Sequence, residues 1–341
     1  MKFQLKKIAD QVIVITGATS GIGLTTARKA AKRGAKVVLV ARNEDALKQL
    51  TFELSKQGRA AMYVVADVGI EEDVRKVARA AIERFGGFDT WVNNAGVSIF
   101  GRYEDISLED QRRLFQTNFW GVVHGSLVAV EHLKQHGGAI INLGSEVSDR
   151  AIPLQGMYSA SKHAVKGFTD SLRLELEEQG APVAVTLIKP AAVDTMFVEH
   201  AKNYLEVEPR LPPPVYAPEI AADAILYAAT HFKRDIFVGG AAKLVSAGAH
   251  YAPRALDSYM KRFLFRQQKT GTPAKDRGQN SLYQAGSGLQ ERQGHEGRVL
   301  ESSLYTAAEI HPKTVNTVLL GIGIALLAWW GLRPEAQTQF D

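Results

Sequence analysis

The stretch from Gln11 to Gly23 limits the folds open to this chain more than any other. Gln11 to Thr16 is apolar, Thr16-Gly17-Ala18-Thr19-Ser20-Gly21-Ile22-Gly23 follows, and Leu24 to Arg33 is rich in helix formers. That order reads as strand, glycine turn and helix start. Glycines let backbone pass close to a ligand, and the unpaired N–H groups of a first helical turn, with the helix dipole, attract a pyrophosphate. The spacing is G-x-x-x-G-x-G rather than the commonest dinucleotide fingerprint, G-x-G-x-x-G. It stands at the first strand-to-helix junction, where an open α/β sheet binds nucleotides.

A second stretch, Ser145 to Lys162, carries the chemistry. Tyr158 and Lys162 are four residues apart, which on a helix puts an ammonium beside a phenol. A neighbouring cation favours the phenolate, so Tyr158 is a candidate general acid or base. A bare Y-x-x-x-K also describes an ordinary exposed pair, and the upstream motifs weigh against that reading.

Together with Asp67-Val68, Asn93-Asn94-Ala95-Gly96, Asn118, and Pro190 to Thr195, these pieces resemble the short-chain dehydrogenase/reductase superfamily. They occur in the family's order, Ser145 precedes Tyr158 by 13 residues, and the likeness runs roughly from Gln11 to Gly240. The resemblance implies a doubly wound, Rossmann-type α/β domain with a mainly parallel seven-stranded sheet. It implies interconversion of a secondary alcohol and a carbonyl by hydride transfer. Tyr158 would move the hydroxyl proton, Ser145 would bond the carbonyl oxygen, Lys162 would lower the tyrosine pKa and bind the nicotinamide ribose, and Asn118 would anchor a proton relay through water. By the same resemblance the dinucleotide lies on Gly17, Thr19, Ser20, Gly21, Ile22 and Gly23. Asp67 and Val68 border the adenine, and Asn94, Ala95 and Gly96 line the cofactor and brace the sheet. Pro190, Val193 and Thr195, with Tyr158 and Lys162, complete the nicotinamide end. The family's usual glycine after Pro190 is replaced by Ala191, which puts the carboxamide contacts in doubt.

The remaining strands are expected at Lys36 to Ala41, Ala61 to Ala66, Thr90 to Asn93, Ala139 to Leu143, Val183 to Lys189 and Asp235 to Val238. Where an acid closing the second strand would bond the ribose hydroxyls, the chain has Ala41 and Arg42, so NADP(H) is favoured over NAD(H). Asn43 is read as a helix N-cap, with Asp67 as another cap in its plainer role. Ser107 to His136 is predicted as one long helix with Ser107 as N-cap and Asp110 reaching back to it. His124 and His132 on that stretch lack partners at metal-site spacing, and no metal is expected. With no cysteine, disulfides and thiolate chemistry are excluded.

Met196 to Pro218, rich in proline, is expected to form an irregular substrate lid. Leu256, Tyr259, Met260, Phe263 and Leu264 make one apolar helical stripe beside Lys261, Arg262 and Arg266. Arg254 to Arg298 holds nine Lys/Arg against four Asp/Glu, an excess equal to the whole net charge of +5. Residues 1–268 are taken as the catalytic domain and 269–313, poor in large apolar side chains, as a flexible linker. Residues 314–333 follow as a transmembrane helix and 334–341 as a short tail. Val315 to Leu332 carries no charge and ends on Trp329 and Trp330, the pattern of a membrane anchor. With no secretory signal in Met1 to Asp10, the catalytic domain is expected in the cytoplasm, tethered to a membrane. The partners expected are a small hydrophobic alcohol or carbonyl compound and a membrane, with no nucleic acid, and a homo-oligomer is compatible with this reading. Two alternatives stay open: a non-catalytic, membrane-tethered dinucleotide-binding module, and an epimerase or dehydratase on the same fold.

Overall fold

In the computed structural model, which describes residues 4–275 and 280–311, the apolar runs become one parallel sheet. Its strands are β1 (Val12–Thr16), β2 (Lys36–Ala41), β3 (Ala61–Val65), β4 (Thr90–Asn93), β5 (Gly138–Leu143), β6 (Val183–Pro190) and β7 (Asp235–Val238). The spatial order is β3-β2-β1-β4-β5-β6-β7, all parallel. Such strands are buried on both faces, which is why β1 and β5 are mainly apolar or small, with Asn142 the polar exception in β5, rather than alternating. The order reverses between β1 and β4, and the crevice outside their carboxyl ends is where open α/β sheets bind ligands.

Helices cover both faces. On one, α1 (Gly21–Lys32) and α2 (Glu44–Lys56) bury Leu24, Ala27, Leu47 and Leu50 against Ile13, Ile15 and Leu39. On the other, α3 (Glu71–Phe85) packs Val74 and Val77 against Val14, Val38 and Trp91. Asn43 caps α2 as expected, its side chain accepting the Ala46 N–H at 3.0 Å. Asp67 is not the cap of α3, whose N-cap is Ile70; its carboxylate instead accepts the Gly69 N–H and an Arg113 N–H.

The long helix forms as expected, from Leu108 to His136, but widens by one π segment at its middle. α4 (Leu108–Phe115) and α5 (Gly121–His136) are joined by a π-turn at Gln116–Trp120, and Asn118 lies inside it. The wider turn suits a residue whose side chain bonds backbone elsewhere: Asn118 accepts the Val97 N–H at 2.8 Å and donates to the Val97 carbonyl at 2.9 Å. Ser107 caps α4, but the Asp110 carboxylate does not reach back; it accepts from the Tyr204 and Tyr283 hydroxyls at 2.6 and 2.8 Å. α6 (Gly156–Glu178) carries Tyr158 and Lys162, and α7 (Pro218–Ala228) packs on α1.

Met196 to Pro218 is irregular, as expected, with one short helix and three strands of two or three residues. Of the apolar stripe after it, Met260 and Leu264 are buried and Tyr259 is exposed. The described part of 269–313 departs from the expected flexible linker. Lys269–Pro273 pairs with Val207–Pro209, Val299–Leu300 pairs with Val215–Tyr216, and the helix Leu304–Ile310 packs on β7. Backbone pairing and ion pairs hold a polar segment that apolar content alone would not. Arg292 alone bonds Glu219 and Glu301, each at 2.7 Å. No helix among the described residues is long and apolar enough to cross a membrane, and Val315 to Leu332 lies outside them.

Candidate active site

The turn after β1 is tight at one point. A Cβ on Gly23 would lie 2.1 Å from the Gly17 carbonyl oxygen and 2.5 Å from Asn94 Nδ2. Only glycine permits that approach. Asn94 in turn donates from Nδ2 to the Thr16 carbonyl at 2.9 Å, while Thr16 Oγ1 accepts the N–H groups of Asn94 and Ala95. The sequence-predicted residues at the ends of β1 and β4 therefore build one unit. Asn93, one residue earlier, braces the sheet instead, donating to Asn142 Oδ1 at 2.8 Å and accepting from the Trp91 indole.

Two adjoining cavities open from this unit. One, of about 210 Å³, is lined by Gly17, Ser20, Gly21, Ile22, Asn94 to Gly96, Ser145, Tyr158, Lys162 and Pro190 to Val193, with Thr195 at its side. The other runs past Thr19, Ala41, Arg42, Asp67 and Val68. Every residue assigned to catalysis or cofactor except Gly23 and Asn118 lines one or both. Gly23 shapes the turn, and Asn118, fully buried, holds Val97 and the Ser161 hydroxyl behind the wall. Ala191 does not strain its backbone. Among the described residues only Leu154 and Leu289 combine a side chain with a positive φ, and the Ala191 N–H donates to the Val238 carbonyl.

The chemistry centres on α6 and the end of β5. Ser145 begins a one-turn helix, its hydroxyl accepting the Val147 N–H while its own N–H donates to Ser148 Oγ, and this fixes it beside Tyr158. Burial pushes the Tyr158 phenol well above its ordinary pKa, a hydrogen bond with Ser145 pulls it back in part, and the Glu146 carboxyl adds to the rise. The expected pairing with Lys162 is present as proximity, Nζ lying 5.7 Å from the ring centroid. Its expected lowering of the phenol is not found: burial sets the direction, and the opposing contribution is that of Ser145. Burial also brings Lys162 down to about 8, and its ammonium donates to the Leu143 carbonyl at 2.7 Å. At neutral pH the phenol is thus a proton donor, the state that carbonyl reduction requires.

The second cavity fits the adenosine half of a dinucleotide. It contains two buried hydroxyls without a partner, Thr117 Oγ1 and Ser281 Oγ, in a wall otherwise well satisfied. Sequence reasoning missed Ser281 and the strap that carries it. Residues 280–291 cross this cavity, Ser281, Ala285, Gly286 and Ser287 forming its roof. The strap is fastened to the glycine turn, with the Leu289 N–H donating to the Thr19 carbonyl and the Gly21 N–H to the Gln290 carbonyl. Arg28 holds Glu291 at 2.6 Å. Arg42 is committed here as well, donating to the Ser281 and Leu282 carbonyls. The signal in the sequence was a pair of large apolar side chains in a polar tract, Leu282, which is fully buried, and Leu289, which packs part-buried on the main core.

A family model described as short chain dehydrogenase matches residues 11–205. "Uncharacterized oxidoreductase YxnA" of Bacillus subtilis (strain 168) is 48% identical over 331 residues, covering 96% of this chain and 92% of that protein. An 11-beta-hydroxysteroid dehydrogenase-like 4A of Arabidopsis thaliana is 37% identical over 191 residues, 55% of this chain and 63% of its own length. Among solved structures, a short chain dehydrogenase of Burkholderia cenocepacia in complex with NADP superposes with a TM-score of 0.63 at 27% identity, covering 75% of this chain and 99% of that one. An alcohol dehydrogenase of the archaeon Thermococcus sibiricus, complexed with 5-hydroxy-NADP, has a TM-score of 0.59 at 30% identity, covering 67% of this chain and 95% of that one.

Proposed function

The chain belongs to the short-chain dehydrogenase/reductase superfamily, and on that premise we propose that it reduces a hydrophobic ketone to a secondary alcohol, and reverses that reaction, with NADP(H). The observation that carries the reading is Tyr158, its hydroxyl bonded to Ser145 and its ring beside Lys162, at the edge of a cavity that begins on the glycine turn. The nicotinamide, when bound, supplies or accepts the hydride. In reduction, Ser145 orients the carbonyl oxygen, Tyr158 gives it a proton, and Lys162 holds the ribose and refills the tyrosine from the side of Asn118. The opposite wall, with Val147, Ile152, Met196, Phe197 and Leu211, suits an apolar substrate body. The name of the plant relative agrees with a compound of that kind. Oxidation of NADPH by the purified chain against a panel of apolar ketones tests this, and no turnover of any would refute it.

NADP(H) is favoured by Arg42 and by the ligands of the two solved relatives. Arg42→Ala is expected to weaken NADPH about tenfold and NADH less than about threefold, the scale of a lost charge-assisted hydrogen bond. Fluorescence titration of both cofactors decides it. Equal weakening would show that Arg42 acts only by holding the strap through Ser281 and Leu282.

Membrane attachment rests on the uncharged run Val315 to Leu332, 18 residues and so roughly 27 Å as a helix. The intact chain is expected to stay with membranes after a carbonate wash, and a version ending at Lys313 to be released. An intact chain that leaves the membrane without detergent would rule the anchor out.

A further inference from the structure

Glu146 follows Ser145 directly and lines the same cavity as Tyr158. Its carboxyl makes no hydrogen bond or ion pair with any described residue. The nearby cations are committed elsewhere. Lys162 donates to the Leu143 carbonyl at 2.7 Å, and Lys166 and Lys189 bind Asp149 at 2.7 and 3.1 Å. Burial alone pushes the Glu146 carboxyl up to about 7. The residue is half-buried and its carboxyl opens to the cavity, so solvent can satisfy it until a substrate body fills that space; left without a partner then, it would be costly. A ligand that supplies the missing partner removes that cost.

The ionised carboxylate only accepts and the neutral acid keeps an acceptor oxygen, so a hydrogen-bond donor is the partner that suits both states. Its position is constrained by sequence adjacency. Ser145 marks the reacting oxygen, and the next Cα is about 3.8 Å further along the chain. A donor within a few bonds of the reacting carbon is in reach. A hydroxyl suits the surroundings better than an ammonium, whose desolvation among Val147, Ile152 and Phe197 would be far more costly. We propose that Glu146 is a substrate-binding residue that accepts a hydrogen bond from a hydroxyl next to the reacting carbon, so that the substrate pair is an apolar hydroxy ketone and its diol. This rests on the oxidoreductase reading and narrows its substrate class.

The test uses the purified full chain, NADPH, and three matched apolar ketones that carry beside the carbonyl a hydroxyl, an amine or neither. For the wild type, kcat/KM is expected to favour the hydroxy ketone over the plain one by about 10- to 100-fold, because a site built to bond a hydroxyl rejects the analogue that lacks it. In Glu146→Ala the ratio should collapse to within about threefold, and Glu146→Gln, which keeps an acceptor oxygen, should fall between. Binding of the diol to the protein, followed by calorimetry, should weaken about tenfold in Glu146→Ala. A wild type that treats the hydroxy and plain ketones alike, or prefers the amino ketone, overturns the assignment. So does a preference that survives Glu146→Ala. A wild type that reduces none of the three overturns the hydroxy-ketone assignment, and turnover of any other ketone in the wider panel then shows whether the oxidoreductase reading stands apart from it.

Discussion

Tyr158→Phe is expected to lower carbonyl reduction by about 10² to 10⁴-fold, the range that a positioned general acid contributes, while NADPH affinity and the thermal unfolding midpoint stay near wild type. The substitution removes one oxygen. The ring keeps its place against Phe197, 5.2 Å away between centroids, and the backbone of α6 is untouched. What is lost is the proton donor that burial keeps loaded at neutral pH and the hydrogen bond that joins it to Ser145. Single-turnover measurement at saturating NADPH separates the chemical step from binding. A phenylalanine variant within about threefold of wild type would remove Tyr158 from the mechanism and require another group as the proton donor.

The sheet, the glycine turn and the placing of Tyr158 beside Lys162 were legible because each had a local signal of its own. The strands are continuous apolar runs, the turn is marked by Gly17, Gly21 and Gly23, and the pair Tyr158 and Lys162 is set by helical period. The phenol's ionisation was not legible. Proximity of Lys162 argued for a lowered pKa, but burial is a property of the whole fold, and it prevails. The π segment at Asn118 was only half legible. Its poor helix propensity was visible in the sequence, whereas the Val97 backbone that its side chain binds becomes a neighbour only once β4 and α4 are packed. Residues 280–291 were least legible. Composition reports how much apolar surface a segment can bury, and this one is held mainly by backbone carbonyls and N–H groups meeting Thr19, Gly21, Arg42 and Arg113. Those are interactions of the main chain, which leave little trace in residue types.

That strap provides the second large effect. Leu282 is fully buried with Val97, Ile99, Ile106 and Leu114, and it is the apolar anchor of a polar segment. Leu282→Asp forfeits roughly 1.5 to 3 kcal/mol of side-chain burial and would add a cost of several kcal/mol for an unpaired carboxylate. The Arg42 and Arg113 bonds end on the Ser281 and Leu282 carbonyls and move with the displaced side chain, and the fastenings further along, among them Arg28 with Glu291, Asn43 with the Gly286 carbonyl and the two backbone bonds to the glycine turn, are worth about 1 kcal/mol each. The strap should therefore detach rather than carry the buried charge, leaving the seven-stranded sheet intact. Detachment removes the roof of the adenosine cavity, takes Ser281 out of it, and frees Arg42 from the two carbonyls it binds. NADPH affinity is expected to fall about hundredfold, in proportion to two or more lost polar contacts and the lost enclosure. Limited proteolysis should cut the variant between Ser281 and Glu291, where the wild type resists, while circular dichroism keeps its α/β signature. If the strap is cut yet NADPH binds as tightly as before, or more tightly, residues 280–291 are a barrier over the adenosine site and not one of its walls.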